Sequence, residues 1–326
     1  MQACRRAAIF CGAFSFAARL VRGVVAVKPP GEVLNDRVKW DIDGVMRARI
    51  RFAAIANFPV HCALHPITIS GHAMTESTLA AQLVQARRQR TLIEDLESAD
   101  IPADANAAYA IQHEVLSLTG ARIGAWKVGA RSPGAQANTA PIDAELVHTS
   151  PARIAHASFF RVLIEMEIAF RFSYALPPRA EAYSRSEVFA ALGGMAVALE
   201  VVDSRFAQWP NLAPLAQLAD SQNNGALIVG KMEPYEVIAP GFDFLSPQLE
   251  LSVDGVSIVP PSAGNPAGDP RELLVWFVNH CSTYGHTVQP FWTITTGSYT
   301  GARRIEGPGV VSGRIDRIGD IELTLE

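Results

Sequence analysis

The sequence is poor in cysteine, in lysine and in charge. It has four cysteines in 326 residues, and three of them (Cys4, Cys11 and Cys62) precede residue 74. None stands in a CxxC pair, so neither a disulfide framework nor a paired-cysteine zinc site is indicated. Cys281 sits in an apolar helical pattern and reads as packing, and a reduced, cytoplasmic setting is expected. Only 18% of residues are charged and the formal net charge is -4, so no nucleic-acid partner is expected. Residues 74–326 contain two lysines, Lys127 and Lys231, and their histidines show neither HxH nor HxxxH spacing, so no histidine metal site is indicated. The apolar stretch from Ala7 to Ala18 is far too short to cross a membrane, and no membrane association is expected.

What is present is a hydrophobic content of 49%, enough to bury one or two sizeable cores. Charge is uneven: residues 1–73 hold ten Lys/Arg against four Asp/Glu, whereas the remainder carries a formal -10. The first 73 residues read as a basic extension with loose signal- or transit-peptide character, and Met74 is expected to be the true start. Residues 74–150 are expected to form a small helical part and 151–326 a β-rich domain.

The periodicity predicts a helix over 78–97 and a second from Asp104 to Gly120, followed by a strand over 123–129 and a loop over 131–144. After the strand around 162–170, Ser184-x-x-Glu187 is a capping box for a helix through Leu192, broken by Gly193-Gly194. Strands follow at 195–202, 226–230, 248–253 and 256–260, with Asp254-Gly255 as a hairpin turn. A helix over 270–284 and strands at 292–296, 309–315 and 320–325 complete the pattern, which suits an α+β fold rather than regular βαβ winding.

Two acids stand inside an apolar run, Val162-Leu163-Ile164-Glu165-Met166-Glu167-Ile168. On a strand, positions two apart share a face, so these carboxylates would repel each other in a dry setting. Glu200 repeats the anomaly between Leu199 and Val201. Three carboxylates on buried strands make an anchor for Mg²⁺ or Mn²⁺. Lys127, flanked by glycines and apolar residues, is either a desolvated acid/base group of lowered pKa or a surface lysine. Arg205 could pair with a substrate carboxylate or with Asp203. Gly297-Ser298-Tyr299-Thr300 offers hydroxyls and amides, or is only a turn. Asp220, before the polar run Ser221-Gln222-Asn223-Asn224, faces a site or ends a helix.

Taken together, Gly124-Ala-Trp-Lys127-Val-Gly129, Glu165-Met-Glu167, Leu199-Glu200-Val-Val-Asp203-Ser204-Arg205 and Thr296-Gly297-Ser298 resemble the 2-keto-4-pentenoate hydratase branch of the fumarylacetoacetate hydrolase superfamily. The resemblance covers about 76–326. It implies a mixed β-sandwich roll with a smaller helical N-terminal part, and Glu165, Glu167 and Glu200 as ligands of Mg²⁺ or Mn²⁺. It further implies Lys127, Asp220 and Ser298 in the active site, with Arg205 and Gly297 toward substrate. Ala144 replaces a usual glycine in Pro141-x-x-Ala144-x-Leu146, a segment that often lines the substrate pocket, and Phe291-Trp292 replaces a Gly-Asp or Gly-Gln step.

The implied reaction is hydration of a 2-hydroxy-2,4-dienoate to a 4-hydroxy-2-oxo acid in aromatic compound degradation. Alternatives are decarboxylation of a 2-oxo-3-enedioate (4-oxalocrotonate), C–C hydrolysis of an acylpyruvate, and a non-catalytic partner subunit. The resemblance also implies a homo-oligomer, with association to a related decarboxylase.

Overall fold

The computed structural model describes residues 78–326; the basic segment 1–73 and the proposed start at Met74 lie outside the described residues. Helix α1 (Leu79–Gln89) opens on Thr78, whose hydroxyl accepts from the Ala81 amide. It is shorter than its periodicity predicts. Arg90 turns left-handed, and Ile93, instead of extending the helix, bonds through its backbone to Arg205 and Ala207. Helix α2 (Ala105–Thr119) is capped by Asp104 and stopped by left-handed Gly120, as predicted.

Strand β1 (Ile123–Gly129) is followed by β2 (Asn138–Asp143), in a stretch expected to be a loop. Pro141 concealed it, yet β2 is the edge of its sheet, where a missing amide is tolerated. Then come β3 (Val147–Thr149), β4 (Ala152–Ile154) and the long β5 (Val162–Phe172). Helix α3 (Arg185–Ala190) carries both hydrogen bonds of the predicted capping box. Strand β6 (Leu192–Val202) starts sooner than expected, and Gly193-Gly194 lie inside it rather than breaking the chain. A Cβ on Gly193 would sit 2.4 Å from the Ser173 hydroxyl, so glycine there permits a close strand approach.

Helix α4 (Pro214–Ala219) leads to β7 (Asn224–Val229), then β8 (Glu233–Pro234), α5 (Tyr235–Ile238), β9 (Leu249–Val253) and β10 (Val256–Ser257). Helix α6 (Pro270–Thr283) precedes β11 (Thr293–Ser298), β12 (Arg303–Ile305), β13 (Gly309–Ile315) and β14 (Gly319–Leu325).

The main sheet runs β2-β1-β11-β5-β6-β7-β3, with β12 on β5 and β8 on β6; the second runs β10-β9-β13-β14-β4. Because β1 to β3 join the same sheet as β5 and β6, a boundary at residue 150 would cut one sheet in two. This mixed architecture is the expected α+β roll. Trp126, Met166, Ile168 and Leu199 face the large core shared with Phe277 of α6 and Val311 and Leu323 of the second sheet. The alternate positions build a small-residue face from Ala125, Ala169, Ala196 and Ala198. By the two-residue period, Lys127, Glu165, Glu167 and Glu200 share that second face.

Candidate metal centre

The β5–β6 register sets Glu165 directly opposite Glu200, with Glu167 two positions along β5. One oxygen from each of the three carboxylates lies within 4.8 Å of the others. Glu200 and Glu167 are fully buried and Glu165 is partly exposed. Burial, then repulsion from Glu200, pushes Glu165 up to about 7. Glu167 is raised well above the ordinary carboxylate range by burial, Glu200 and Glu165 in turn.

Two of the acids are oriented by their surroundings. Lys127 on β1 places Nζ 2.5 Å from Glu200 Oε1, which also accepts from Asn224 Nδ2 at 2.9 Å. The other Glu200 oxygen, Oε2, is buried with no partner. Glu167 Oε2 accepts the Gly297 amide at 3.0 Å. Gly297 has φ +83° at a break in the β11–β5 register, a conformation that suits glycine. The next residue, Ser298, is the Cα partner of Glu167, and its hydroxyl accepts the Thr300 amide.

These residues fit a divalent cation. Fully ionised, three carboxylates and one ammonium would carry two uncompensated negative charges, the repulsion that, after burial, raises Glu165 and Glu167. The orphaned Glu200 oxygen is the kind of hard ligand a divalent ion takes.

The lysine differs from expectation in one respect. Burial alone would lower its pKa, as the sequence predicts, but Glu200, Glu165 and Glu167 outweigh burial and hold it above the usual value. Its ammonium also donates to the Gln222 carbonyl at 3.0 Å. That carbonyl belongs to a strained segment in which Ser221, Gln222 and Asn223 all have φ between 50° and 60°. Lys127, Gln222 and Asn223 line one cavity of about 560 Å³.

Arg205 and Asp220 are brought to each other rather than to the three acids. Arg205 Nε lies 2.5 Å from Asp220 Oδ1, and its remaining donors go to the backbone carbonyls of Asp203, Asp220 and Asn224. Its guanidinium pairs with Asp220 and not with the Asp203 carboxylate, which accepts the Phe160 and Arg161 amides. Asp220 occupies the C-cap of α4, the helix-end position that the sequence left open. Asn224 joins the two clusters: its carbonyl accepts from Arg205 and its side chain donates to Glu200. The sequence flagged the polar run 221–224 but not this bridging role, because the contacts are long-range.

No family model matches the chain. It is similar to the 2-keto-4-pentenoate hydratase of Burkholderia vietnamiensis, 24% identical over 261 residues that span 76% of this chain and 96% of the relative. It is also similar to the 2-keto-4-pentenoate hydratase of Paraburkholderia phymatum, 23% identical over 254 residues, 75% of this chain and 95% of that one. Among solved structures, the 4-oxalocrotonate decarboxylase of Pseudomonas putida G7, complexed with magnesium and adipate, aligns with a TM-score of 0.66 at 19% identity. The alignment covers 76% of this chain and 96% of that structure.

The fold is therefore the α+β roll expected from the sequence, shared with that decarboxylase structure. The resemblance read from the sequence is matched by the similarity to two proteins named 2-keto-4-pentenoate hydratase. Among the described residues no helix is long and apolar enough to cross a membrane.

Proposed function

We propose that the protein is a metal-dependent hydratase that adds water to a 2-hydroxy-2,4-dienoate, such as 2-hydroxypenta-2,4-dienoate, to give a 4-hydroxy-2-oxo acid in aromatic compound degradation. The observation that carries this reading is the convergence of Glu165, Glu167 and Glu200 on one face, with Lys127 against Glu200. Glu165, Glu167 and Glu200 would hold Mg²⁺ or Mn²⁺, which would supply Lewis-acid stabilisation of the negative charge that develops on the substrate.

The chain's own groups do the rest. Lys127, kept charged by its acidic neighbours, donates a proton to the terminal carbon of the dienol while the enol hydroxyl gives one up. That yields the conjugated 2-oxo-3-enoate. A water oxygen then adds at the fourth carbon and its proton goes to the third, completing the 4-hydroxy-2-oxo acid. Ser298, beside Glu167, orients substrate or water, and the Gly297 amide fixes the Glu167 carboxylate. Arg205 and Asp220 act as positioning residues through Asn224 instead of touching substrate.

The test is a substrate comparison on metal-stripped protein before and after adding Mg²⁺ or Mn²⁺. Metal-dependent loss of 2-hydroxypenta-2,4-dienoate without release of CO₂ from 2-oxo-3-hexenedioate is expected. CO₂ release from the enedioate with no hydration of the dienoate would replace this reading with a decarboxylase. Cleavage of an acylpyruvate alone would make it a C–C hydrolase. No Mn²⁺ binding at all would leave a non-catalytic subunit.

A further inference from the structure

A separate cavity of about 620 Å³ lies between α1, α2, the end of β2 and the start of β7. None of Lys127, Glu165, Glu167 and Glu200 lines it. It shares a wall with the lysine cavity, however: Ser221 and Asn224 face this one, whereas Gln222 and Asn223 face the other. Its volume falls in the range of small-molecule sites.

The lining is amphipathic. Val115, Leu116, Ile142, Leu146 and Phe159 supply apolar surface. Five arginines, at 87, 88, 90, 122 and 205, outnumber three acids, at 143, 145 and 203. Two of those acids already have work: Asp203 accepts the Phe160 and Arg161 amides, and Asp143 accepts the Glu145 amide. Arg205 is committed to Asp220, and Arg90 reaches the Phe159 carbonyl.

Arg87, on the last turn of α1, is different. Its Nε is buried without a partner, and its guanidinium makes no hydrogen bond or ion pair with any described residue. Burial, followed by Arg205, lowers its pKa to about 10, although Asp220, Asp143 and Asp203 pull the other way. A half-buried arginine whose inner nitrogen has no partner is costly to keep. The fork of a guanidinium is matched in shape by a carboxylate, which restores both the hydrogen bonds and the charge balance.

We propose that this cavity is a second anion site, which binds a small aliphatic monocarboxylate with its carboxylate on Arg87 and its hydrocarbon chain against Val115, Ile142 and Phe159. One half-buried, uncommitted guanidinium beside an apolar wall suits a single carboxylate with a tail. Inorganic phosphate has no tail for that wall. The site involves neither the three glutamates nor Lys127, although residues 141–146, whose family counterpart often lines the substrate pocket, form part of its wall; binding without metal separates it from the hydratase reading.

The experiment is a calorimetric titration of metal-stripped full-length protein, in chelator-free buffer, with butyrate, butyramide and inorganic phosphate. Butyrate is expected to bind one to one, butyramide not at all and phosphate more weakly. Arg87→Gln should weaken butyrate by about ten-fold or more, the usual worth of a hydrogen bond to a charged group. Arg131→Gln, in the other cavity, should leave it unchanged. Absence of butyrate binding, binding that appears only after Mn²⁺ is added, equal uptake of butyramide, or an Arg87→Gln protein that binds butyrate normally would each overturn the proposal. Should Arg87→Gln fail to fold by circular dichroism, the three-ligand comparison on the unaltered protein decides alone: butyrate preferred supports the site, phosphate or butyramide preferred ends it.

Discussion

Lys127 and Glu200 are 73 residues apart in the chain, yet Nζ of one lies 2.5 Å from Oε1 of the other in a buried setting. The ammonium uses one Glu200 oxygen and leaves the second, buried, without a partner. A lysine and a cation can therefore share one carboxylate, which couples proton transfer to charge stabilisation.

Glu200→Gln should reduce Mn²⁺ affinity by about 100-fold or more, since loss of groups that merely orient ligands already costs 10–100-fold. It should also release Lys127 from its partner. Isothermal titration of stripped protein with Mn²⁺ measures the first effect; unchanged affinity would remove Glu200 from the ligand set.

Lys127→Met should leave Mn²⁺ binding intact while slowing hydration by about 10²–10⁴-fold, the range for loss of a general acid. Dienoate absorbance decay at saturating metal checks it. A variant that hydrates normally would strip Lys127 of its proposed part.

Arg205→Met leaves Asp220 buried without its cation and several backbone carbonyls without donors. Breaking one side of a buried pair costs about 3–5 kcal/mol. Denaturant melts should register that loss, and Arg205→Lys should recover only part of it because an ammonium cannot reproduce the planar fork. Equal stability of Arg205→Met and the parent would contradict the structural reading.

His280 on α6 packs among Tyr109, Trp276 and Tyr284, with His113 and His286 near by. Burial, then the two other histidines, lowers its pKa from 6.5 to about 4. The unfolded chain thus binds a proton that the folded one refuses. Stability contributed by neutral His280 is complete above pH 6.5 and is lost as pH falls toward 4. Allowing for partial exposure, the effect is on the order of 1–2 kcal/mol. Melting temperature followed from pH 7 to 4 should fall less steeply in His280→Phe, and identical slopes would refute the assignment.

How far the sequence reached depended on the range of the interaction. Glu165 and Glu167 announced themselves because two acids in an apolar strand need no partner to look anomalous, and Glu200 repeated the signal. The register that sets Glu165 opposite Glu200 was not legible, since strand pairing is decided by distant segments. Nor was the sign of the Lys127 shift, which follows from three carboxylates that only the folded sheet assembles. Capping residues Asp104, Ser184 and Asp269 located their helices because a cap acts within three residues. Pro141 hid β2 because a proline vetoes a central strand but not an edge, and edge position is a property of the whole sheet. The pairing of Arg205 with Asp220 was not legible either, since the two stand fifteen residues apart and meet only in the folded interior.

The left-handed run at Ser221, Gln222 and Asn223 sets up a trade between endurance and activity. None of the three is glycine, so each holds an uphill backbone conformation of about 1–2 kcal/mol. Glycine at 222 would relax that conformation in the native chain, yet also free the carbonyl that anchors the lysine ammonium. Selection for heat resistance alone would favour such a change, and selection for turnover would reverse it.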